Sequence, residues 1–366
     1  MREGWVDYKF KDVASAVKGK LPKNKNELGI GIPYLTASYL RSSKPDFWIE
    51  NLEGAVTAED GDCLILWDGA GAGDLFSAHR GVVSSTMAVV TTQNSKILRE
   101  FLTLFISSKA DYIKETCRGT TVPHVSPDAI ANMDLKIPPL PEQKRIVDLI
   151  SSVDSYIEAL QQQLETAKRS RNAVLHQLLT AGGDDWVESS LGVQMSLEYG
   201  KPLTESNRDG IGFPVYGSAG IVGMHSEPLV STAPVIIVGR KGTAGAVYWS
   251  EDQCFVIDTA YFVASKTDIE LKFLYHLLNF VDLKSVTAQT GVPGLNRDRA
   301  YSLKCKIPPK SKQFEIVEMI STMDEVVNKT GSILAETQNL RSGLLSDLLS
   351  GEHEIPASYD KVIGTA

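Results

Sequence analysis

Cysteine, net positive charge and long apolar runs are all scarce in this 366-residue sequence. The four cysteines lie far apart with no C-x-x-C pair, which indicates reduced, structural thiols in a cytoplasmic protein. The 37 Lys and Arg against 45 Asp and Glu leave a net charge of −8, which disfavours a small nucleic-acid binder driven by bulk charge. A DNA reader that borrows positive charge from a partner remains compatible with this balance. No apolar run approaches the ~18 residues of a membrane helix, and the charged N-terminal segment is unlike a signal peptide.

Motifs of catalysis are scarce as well. The glycine-rich run Gly69–Gly73 lacks the G-x-G-x-x-G spacing and the following helix of a nucleotide-binding loop. There is no N-P-P-[FY] run of the kind found in the catalytic loop of adenine methyltransferases. The six histidines are scattered, and no Ser/His/Asp or Cys/His arrangement has local support. We therefore predict a chain with no catalytic centre, cofactor or metal of its own.

What the sequence does contain is an internal repeat. Ile137-Pro138-Pro139 recurs as Ile307-Pro308-Pro309, 170 residues later, and many identical residues keep that offset. Among them are the pairs Gln143 and Gln313, Asp154 and Asp324, Arg171 and Arg341, and Leu175 and Leu345. Further upstream the offset drifts to 181, where Trp5-Val6 meets Trp186-Val187. One unit is therefore written twice along the chain.

The repeat predicts the domain organisation. Each copy begins with a globular region and continues into a helical segment. The first helical segment has no Gly or Pro between Pro141 and Gly182, and the second contains Gly331 and Gly343. The predicted boundaries are 1–140 for the first globular domain, 141–183 for the first helical segment, 184–309 for the second domain, 310–351 for the second helical segment and 352–366 for a tail.

The globular regions combine short β-type runs with amphipathic helices. Cys63–Trp67, Thr86–Val90, Val235–Val238 and Ala260–Val263 are apolar runs bounded by Gly, Pro, Asn or Asp, as in strands. Leu98–Ser107 and Leu271–Phe280 show the i, i+3, i+4 spacing of amphipathic helices. Each half is therefore predicted to be an α+β domain with a strongly bent or closed sheet.

The two helical segments carry coiled-coil patterning. Their apolar residues step alternately by four and three, which is the 3.5-residue period of a coiled coil. The first seam is Val153, Ile157, Leu160, Leu164, Ala167, Arg171, Val174 and Leu178; the second is Met323, Val327, Thr330, Leu334, Thr337, Arg341, Leu344 and Leu348. The second seam is weaker and is interrupted by Gly331 and Gly343. We expect the two helices to pair antiparallel, with the seam arginines either setting the register or meeting acidic residues of a partner protein.

The repeated segments resemble one known family. Ile137–Thr180 is similar to the helical spacer of type I restriction–modification specificity subunits, and Leu340–Gly351 is similar to the end of that spacer. Gly119–Ser126 and Thr290–Asn296 resemble the segment that closes each target recognition domain. The resemblance spans nearly the whole chain, in the order recognition domain, helix, recognition domain, helix. One departure is Pro309–Gln313, which lacks the second proline and the glutamate of the matching Pro139–Gln143.

The resemblance implies a non-catalytic DNA-specificity subunit. Each recognition domain would read one half of a bipartite, asymmetric DNA target. The helices would set the spacing and dock two methyltransferase subunits, which methylate adenine with S-adenosylmethionine, and a motor-nuclease restriction subunit could join them. Since no segment of the chain is strongly basic, we expect the methyltransferases to supply most contacts to the DNA backbone, and this chain to supply base readout.

Candidate DNA-binding residues are polar or basic residues in the loops of both domains. The Gly239–Thr243 loop follows a strand, so its backbone and its Arg and Lys side chains could approach a phosphate or a guanine, and arginine can fork onto guanine O6 and N7. The matching first-domain loop carries Asp68 where the second has Arg240. For the Gly239–Thr243 loop the alternative interpretation is a hairpin turn with solvated charges, and for the residues after Pro33 and Pro214 it is turn formation. For the loops before the two closing strands the alternative is a structural corner that leads into the helix. The candidates are Thr36, Ser38, Tyr39, Thr120, Thr121 and His124 in the first domain, and Tyr216, Ser218, Arg240, Lys241, Thr243, Thr290, Asn296 and Arg297 in the second.

Candidate partner-binding residues lie where the two long helices begin. They are Pro141, Glu142, Gln143 and Arg145 in the first copy and Gln313 in the second. Helix capping and packing onto the domain is the alternative interpretation. A different class of function also stays open, namely a coiled-coil scaffold whose two domains bind protein or carbohydrate.

Overall fold

The computed structural model describes residues 4–22, 24–92, 94–119, 122–287 and 294–360, and these form two compact units. The first unit combines Met1–Gln161 with Ile333–Ala366, and the second is Gln162–Ser332. Each unit therefore contains one globular domain, the beginning of the helix that follows it, and the end of the other long helix. Thr120, Thr121 and Thr290, three of the predicted DNA-binding residues, lie outside the described residues.

The first domain is a mixed α+β domain. Its strands are β1 Val6–Lys9, β2 Ser15–Lys18, β3 Ile32–Leu35, β4 Trp48–Ile49, β5 Thr57–Ala58, β6 Cys63–Leu66, β7 Leu75–Ser77, β8 Gly81–Val83, β9 Met87–Thr91 and β10 Asp134–Ile137. Its helices are α1 Phe10–Val13, α2 Ala37–Ser42, α3 Arg99–Ser108, α4 Ala110–Glu115 and α5 Pro127–Ala131, and the long α6 Leu140–Thr180 follows. One sheet is antiparallel in the order β2-β9-β6-β7, another has the order β4-β3-β8-β5, and β1 pairs with β10.

The second domain repeats this arrangement. Its strands are β11 Val187–Ser190, β12 Met195–Tyr199, β13 Phe213–Gly217, β14 Gly220–His225, β15 Val235–Gly239, β16 Val247–Ser250, β17 Phe255–Val256, β18 Ala260–Ser265 and β19 Lys304–Ile307. Its helices are α7 Leu191–Gln194, α8 Leu271–Phe280 and α9 Arg297–Ser302, with 3-10 turns at Glu205–Asn207 and Leu283–Val286, and the long α10 Lys310–Ser350 follows. The sheets have the orders β12-β18-β15-β16, β14-β13-β17 and β11-β19.

The α+β fold class and the internal repeat are confirmed, and so are the predicted strands and amphipathic helices. The four β-type runs correspond to β6, β9, β15 and β18, and the two amphipathic patches to α3 and α8. The expectation of a single sheet in each half, strongly bent or closed, is corrected, because hydrogen bonding divides the described strands of each domain among separate sheets.

Each domain shares its core with both long helices. In the first unit Phe101 and Leu102 of α3 cluster with Ile146 of α6 and with Leu345 and Leu348 of α10. In the second unit Phe273 and Leu274 of α8 cluster in the same way, with Leu175 and Leu179 of α6 and Ile316 and Ile320 of α10. Burial of these apolar side chains holds the helices onto the domains, since each buried Leu or Ile contributes about 1.5–3 kcal/mol.

The coiled-coil seam is confirmed residue by residue. All the predicted seam residues of α6 and α10 are buried or partly buried, while most of the other helix positions between them are exposed. Within the first unit Arg341 faces Asp154, and the residues after Arg341 pack with residues before Asp154, so the two helices run antiparallel there.

The seam arginines pair with acids of this same chain. Arg171 Nε donates to Asp324 Oδ1 at 2.8 Å and Arg171 Nη2 donates to Asp324 Oδ2 at 3.2 Å. Arg341 forms the equivalent fork with Asp154, with Nη2 at 2.8 Å from Oδ2. The alternative that these arginines meet acids of a partner protein is therefore wrong, because both carboxylate partners come from the facing helix.

The α10 helix continues without a break through both of its glycines. A Cβ added to Gly331 or Gly343 would meet nothing within 4 Å, and neither residue has a positive φ. Glycine costs a helix about 1 kcal/mol relative to alanine. We therefore expect Gly331→Ala and Gly343→Ala each to raise the free energy of unfolding by about 1 kcal/mol. Denaturant unfolding of each variant checks this, and Gly239→Ala, whose Cβ would lie 2.2 Å from Thr243 O, is a control expected to destabilise.

The tail after α10 packs against the first unit. Gly351 ends the helix with φ of 79° and lies beside the Trp5 indole. Ile355 is buried in the core of the first unit, and Tyr359 packs against that core. Asp360 accepts a hydrogen bond from Arg145 Nη1 at 3.1 Å. This tail therefore fastens the end of α10 to the start of α6.

Among the helices of the described ranges, none is long and apolar enough to cross a membrane. The four cysteines are unbonded to one another, and Cys63, Cys254 and Cys305 are buried. Burial raises the pKa of the Cys63 thiol to about 12, which keeps it protonated and unreactive at neutral pH.

Candidate nucleic-acid interface

The same backbone hydrogen bonds build one loop in both domains. After β15, the N–H groups of Arg240 and Lys241 both donate to Thr259 O, at 2.9 and 3.1 Å. After β6, the N–H groups of Trp67 and Asp68 both donate to Thr86 O, at 2.7 and 3.3 Å. Arg240 is therefore equivalent to Trp67, and Lys241 to Asp68. This corrects the alignment from the sequence, which placed Asp68 opposite Arg240 and was wrong by one residue.

A glycine lets the second-domain loop fold tightly. A Cβ on Gly239 would lie 2.2 Å from Thr243 O and 3.0 Å from Ser218 O, so only glycine fits there. Ser218 is held in place because its N–H donates to Thr259 Oγ1 at 3.3 Å and its carbonyl accepts from the Tyr248 hydroxyl at 3.1 Å. The structure thus brings together four predicted DNA-binding residues, Ser218, Arg240, Lys241 and Thr243.

Arg297 joins this cluster through an aromatic side chain that sequence reasoning missed. The guanidinium carbons of Arg240 and Arg297 lie 4.9 and 4.6 Å from the ring centroid of Tyr199, the last residue of β12. Tyr261 of β18 is the cross-strand neighbour of Tyr199, with 5.1 Å between ring centroids. A signal was present in the sequence, since Tyr199 stands opposite Lys18 at the 181-residue offset of the repeat.

Four other predicted DNA-binding residues have roles within the fold. Thr36 caps α2 by accepting from Tyr39 N at 3.1 Å, and Asn296 caps α9 by accepting from Arg299 N at 3.0 Å. Tyr39 and Tyr216 are only 7% and 6% exposed and pack in hydrophobic clusters. For these four residues the structure supports the alternative interpretation of turn formation and packing.

The remaining first-domain candidates are exposed. Ser38 lies in α2. His124 pairs its backbone with Arg118 in both directions, at 2.8 and 2.9 Å, and bridges to Asp68. His124 therefore lies beside the loop that corresponds to the Arg240–Thr243 loop. The carboxylate of Asp68 in that loop forms an ion pair with Lys18, with 2.5 Å between Nζ and Oδ2.

Two of the predicted partner-binding residues instead join the helices to the domains. Gln143 is fully buried; its Oε1 accepts from Leu98 N at 2.8 Å, and its Nε2 donates to Lys96 O and Pro138 O at 2.7 and 2.8 Å. Gln313 does the same in the second unit, accepting from Glu270 N at 2.7 Å and donating to Pro308 O at 2.9 Å. The interpretation of Gln143 and Gln313 as partner contacts is therefore corrected, because both side chains are buried and bonded inside this chain.

The other helix-start candidates differ in exposure. Pro141 is exposed. Glu142 is 6% exposed and accepts a hydrogen bond from Trp5 Nε1 at 3.2 Å. The Arg145 side chain is 11% exposed and is covered by its contact with Asp360 of the tail. In the first unit, the tail and Trp5 therefore cover part of the surface that the sequence assigned to a partner.

Two copies of one α+β domain, with equivalent loops that carry different side chains, define a two-domain recognition protein. The family model described as the type I restriction modification DNA specificity domain matches residues 2–169 and 184–336. These matches cover most of the chain, so the chain belongs to the family of type I restriction–modification specificity subunits. It carries two target recognition domains, as the resemblance in the sequence implied.

Individual relatives agree with this assignment. The type I restriction enzyme MjaVIII specificity subunit of Methanocaldococcus jannaschii is 22% identical over 396 residues, covering 96% of this chain and 93% of the relative. The EcoprrI specificity subunit of Escherichia coli is 24% identical over 170 residues, covering 44% of this chain and 42% of the relative. The crystal structure of the S subunit of a type I restriction–modification system from M. genitalium is similar with a TM-score of 0.64 and 17% identity, covering 94% of this chain and 96% of that one. That structural likeness concerns the fold alone.

Proposed function

We propose that this chain is the non-catalytic subunit that gives a type I restriction–modification complex its DNA sequence specificity. Each domain reads one half of a bipartite, asymmetric DNA target, and α6 and α10 set the spacing between the halves. The single observation that carries this proposal is the loop built by the same hydrogen bonds in both domains but with different side chains, Trp67-Asp68 in one and Arg240-Lys241 in the other. Domains that share a scaffold and differ in their loops are suited to reading different sequences.

The proposed partners are double-stranded DNA, two methyltransferase subunits and motor-nuclease restriction subunits, in the cytoplasm. The methyltransferases would bind S-adenosylmethionine and methylate adenine, and this chain would bind no cofactor itself. The net charge of −8 supports this division, since a chain with more acids than bases benefits from partners that neutralise DNA phosphates. For the methyltransferases, the exposed Pro141 and the surface around the helix starts are the proposed contacts.

Domain exchange combined with mapping of methylated DNA tests the proposal. The chain is co-expressed with its candidate adenine methyltransferase, and N6-methyladenine is mapped across the genome by single-molecule sequencing. We expect one bipartite motif. Replacing residues 4–137 with the corresponding domain of another family member should change one half of that motif and leave the other half and the spacing unchanged, because the two domains belong to separate hydrophobic clusters.

Two results would contradict the proposal. A stable complex with the methyltransferase that produces no methylation motif would favour a scaffold with protein- or carbohydrate-binding domains. A domain exchange that alters both halves of the motif would show that the two domains do not read DNA separately.

A further inference from the structure

The second domain presents two arginine side chains at one exposed aromatic ring. Tyr199 is 48% exposed, and the guanidinium groups of Arg240 and Arg297 both lie against its ring. Arg240 also lies 5.8 Å from the ring centroid of the buried Tyr261. The aromatic faces attract both cations, so Tyr199 places them at the surface beside the Arg240–Thr243 loop.

Backbone carbonyls hold both guanidinium groups in position without neutralising them. Arg240 Nη1 donates to Asp258 O at 2.8 Å, and Arg297 Nη1 donates to Leu197 O at 3.4 Å. Neither guanidinium forms an ion pair with a carboxylate among the described residues, whereas the seam residues Arg171 and Arg341 both do. Each guanidinium has five N–H donors in a fixed fork, so donors remain for a ligand.

Two positive charges beside one ring favour the binding of an anion over the binding of a neutral ligand. A guanine edge offers O6 and N7 as acceptors but carries no net charge, whereas a DNA phosphate carries a full negative charge. Arginine is also the side chain best suited to bidentate phosphate binding. We propose that Arg240 and Arg297 form a phosphate-binding site that grips the DNA backbone at the half-site read by the second domain. This inference rests on the proposed function.

The first domain lacks the equivalent site. Strand pairing makes Lys18 equivalent to Tyr199 and Ala88 equivalent to Tyr261. The loop hydrogen bonds make Trp67 equivalent to Arg240. The first residues of α5 and α9 make Pro127 equivalent to Arg297. The single basic residue of this set, Lys18, is already paired with Asp68. The two domains are therefore unequal, and at this position only the second one contributes positive charge to backbone binding.

The salt dependence of DNA binding tests this site. The complex of this chain with its methyltransferase is titrated with a duplex carrying the mapped motif, at several salt concentrations. Each phosphate neutralised contributes about 0.9 to the slope of log affinity against log salt concentration. We expect Arg240→Ala and Arg297→Ala each to weaken binding and to reduce that slope by up to about 0.9, with the mapped motif unchanged. Arg297→Lys keeps the charge and should keep most of the slope.

The matched control is the double variant Lys18→Ala/Asp68→Ala in the first domain, where Lys18 is equivalent to Tyr199. Because this ion pair carries no net charge, we expect its removal to leave the slope unchanged. Amide hydrogen exchange of each variant confirms that the second unit stays folded, so that a loss of binding is not a loss of structure.

The possible outcomes separate this inference from the proposed function. If the double variant Arg240→Ala/Arg297→Ala keeps the wild-type slope, the phosphate site is wrong while the proposed function stands. If the slope is unchanged but one half of the motif becomes degenerate, the arginines read a base, and the phosphate assignment is overturned. If the wild-type complex binds no DNA specifically, the proposed function fails and the inference fails with it.

Discussion

Gln143→Glu is expected to lower the free energy of unfolding of the first unit by about 3–5 kcal/mol, the range of severe single substitutions. The amide Nε2 of Gln143 donates to two carbonyls, Lys96 O and Pro138 O, in a fully buried position. A carboxylate cannot donate, so both carbonyls would lose their partner and would face a buried negative charge. This amide joins the start of α6 to the segment before α3, so its loss would loosen the helix from its domain.

Amide hydrogen exchange is the suitable measurement, because it reports on each unit separately and does not assume that a two-unit chain unfolds in one step. Leu98 N, which donates to Gln143 Oε1, and the amides of α3 should lose protection. The matched variant Gln313→Glu should do the same in the second unit, around Glu270. Gln163→Glu, at an exposed position of α6, is the control with no expected effect. Wild-type protection of Leu98 in Gln143→Glu would show that the buried amide does not hold the helix.

The helical pairing was predictable from sequence because it depends on local periodicity. The seam from Val153 to Leu178 follows from the 3.5-residue period, which specifies the facing side of a helix wherever it occurs. The repeat added the correspondence of Asp154 with Asp324 and of Arg171 with Arg341. What periodicity could not supply is that each arginine pairs with the aspartate of the other copy, 153 or 187 residues away.

The loop site was less accessible to sequence reasoning because its geometry depends on contacts between distant segments. Arg240 was recognised from its glycine-rich loop, but Tyr199 was missed, since its partners follow it by 41 to 98 residues. The sequence alignment pairs Asp68 with Arg240, whereas the structure pairs Asp68 with Lys241. The loop lengths differ between the domains, and only the hydrogen bonds to Thr86 O and Thr259 O set the register. The repeat pairs Gln143 with Gln313, but their role depends on burial, which sequence does not reveal for a polar side chain.

His276 should make the second unit sensitive to acid. It is fully buried in α8; burial first, and then the positive charges of Arg171 and Lys272, lower its pKa to about 4 despite the opposing effect of Asp324. Arg171 Nη2, which can only donate, lies 3.3 Å from His276 Nδ1, so Nδ1 accepts and Nε2 carries the proton. Nε2 is buried without a hydrogen-bond partner among the described residues. A second proton would therefore put an unpaired charge in the core.

Acid should destabilise the second unit, because the pKa of His276 is lower in the folded unit than in the unfolded chain. In the unfolded chain histidine binds a proton below about pH 6.5, whereas in the folded second unit it does so only near pH 4. The unfolded state thus binds more protons between these values, and the stability of the second unit falls as pH falls through this window. The loss reaches about 3 kcal/mol by pH 4, at 1.36 kcal/mol for each pKa unit.

The first unit offers the matched comparison, because Leu104 stands at the equivalent position of α3, where Phe101-Leu102 matches Phe273-Leu274. His276→Leu should therefore abolish about 3 kcal/mol of the acid-induced loss in the second unit and leave the first unit unchanged. Carboxylates titrate in both units below pH 5, so the informative quantity is the difference between wild type and variant, measured by amide hydrogen exchange from pH 7 to pH 4. His79→Gln, which replaces an exposed histidine of the first unit, is the control for histidine substitution as such. An unchanged profile in His276→Leu would mean that the buried imidazole accepts its proton without cost, which would require Asp324 to outweigh burial, Arg171 and Lys272 together.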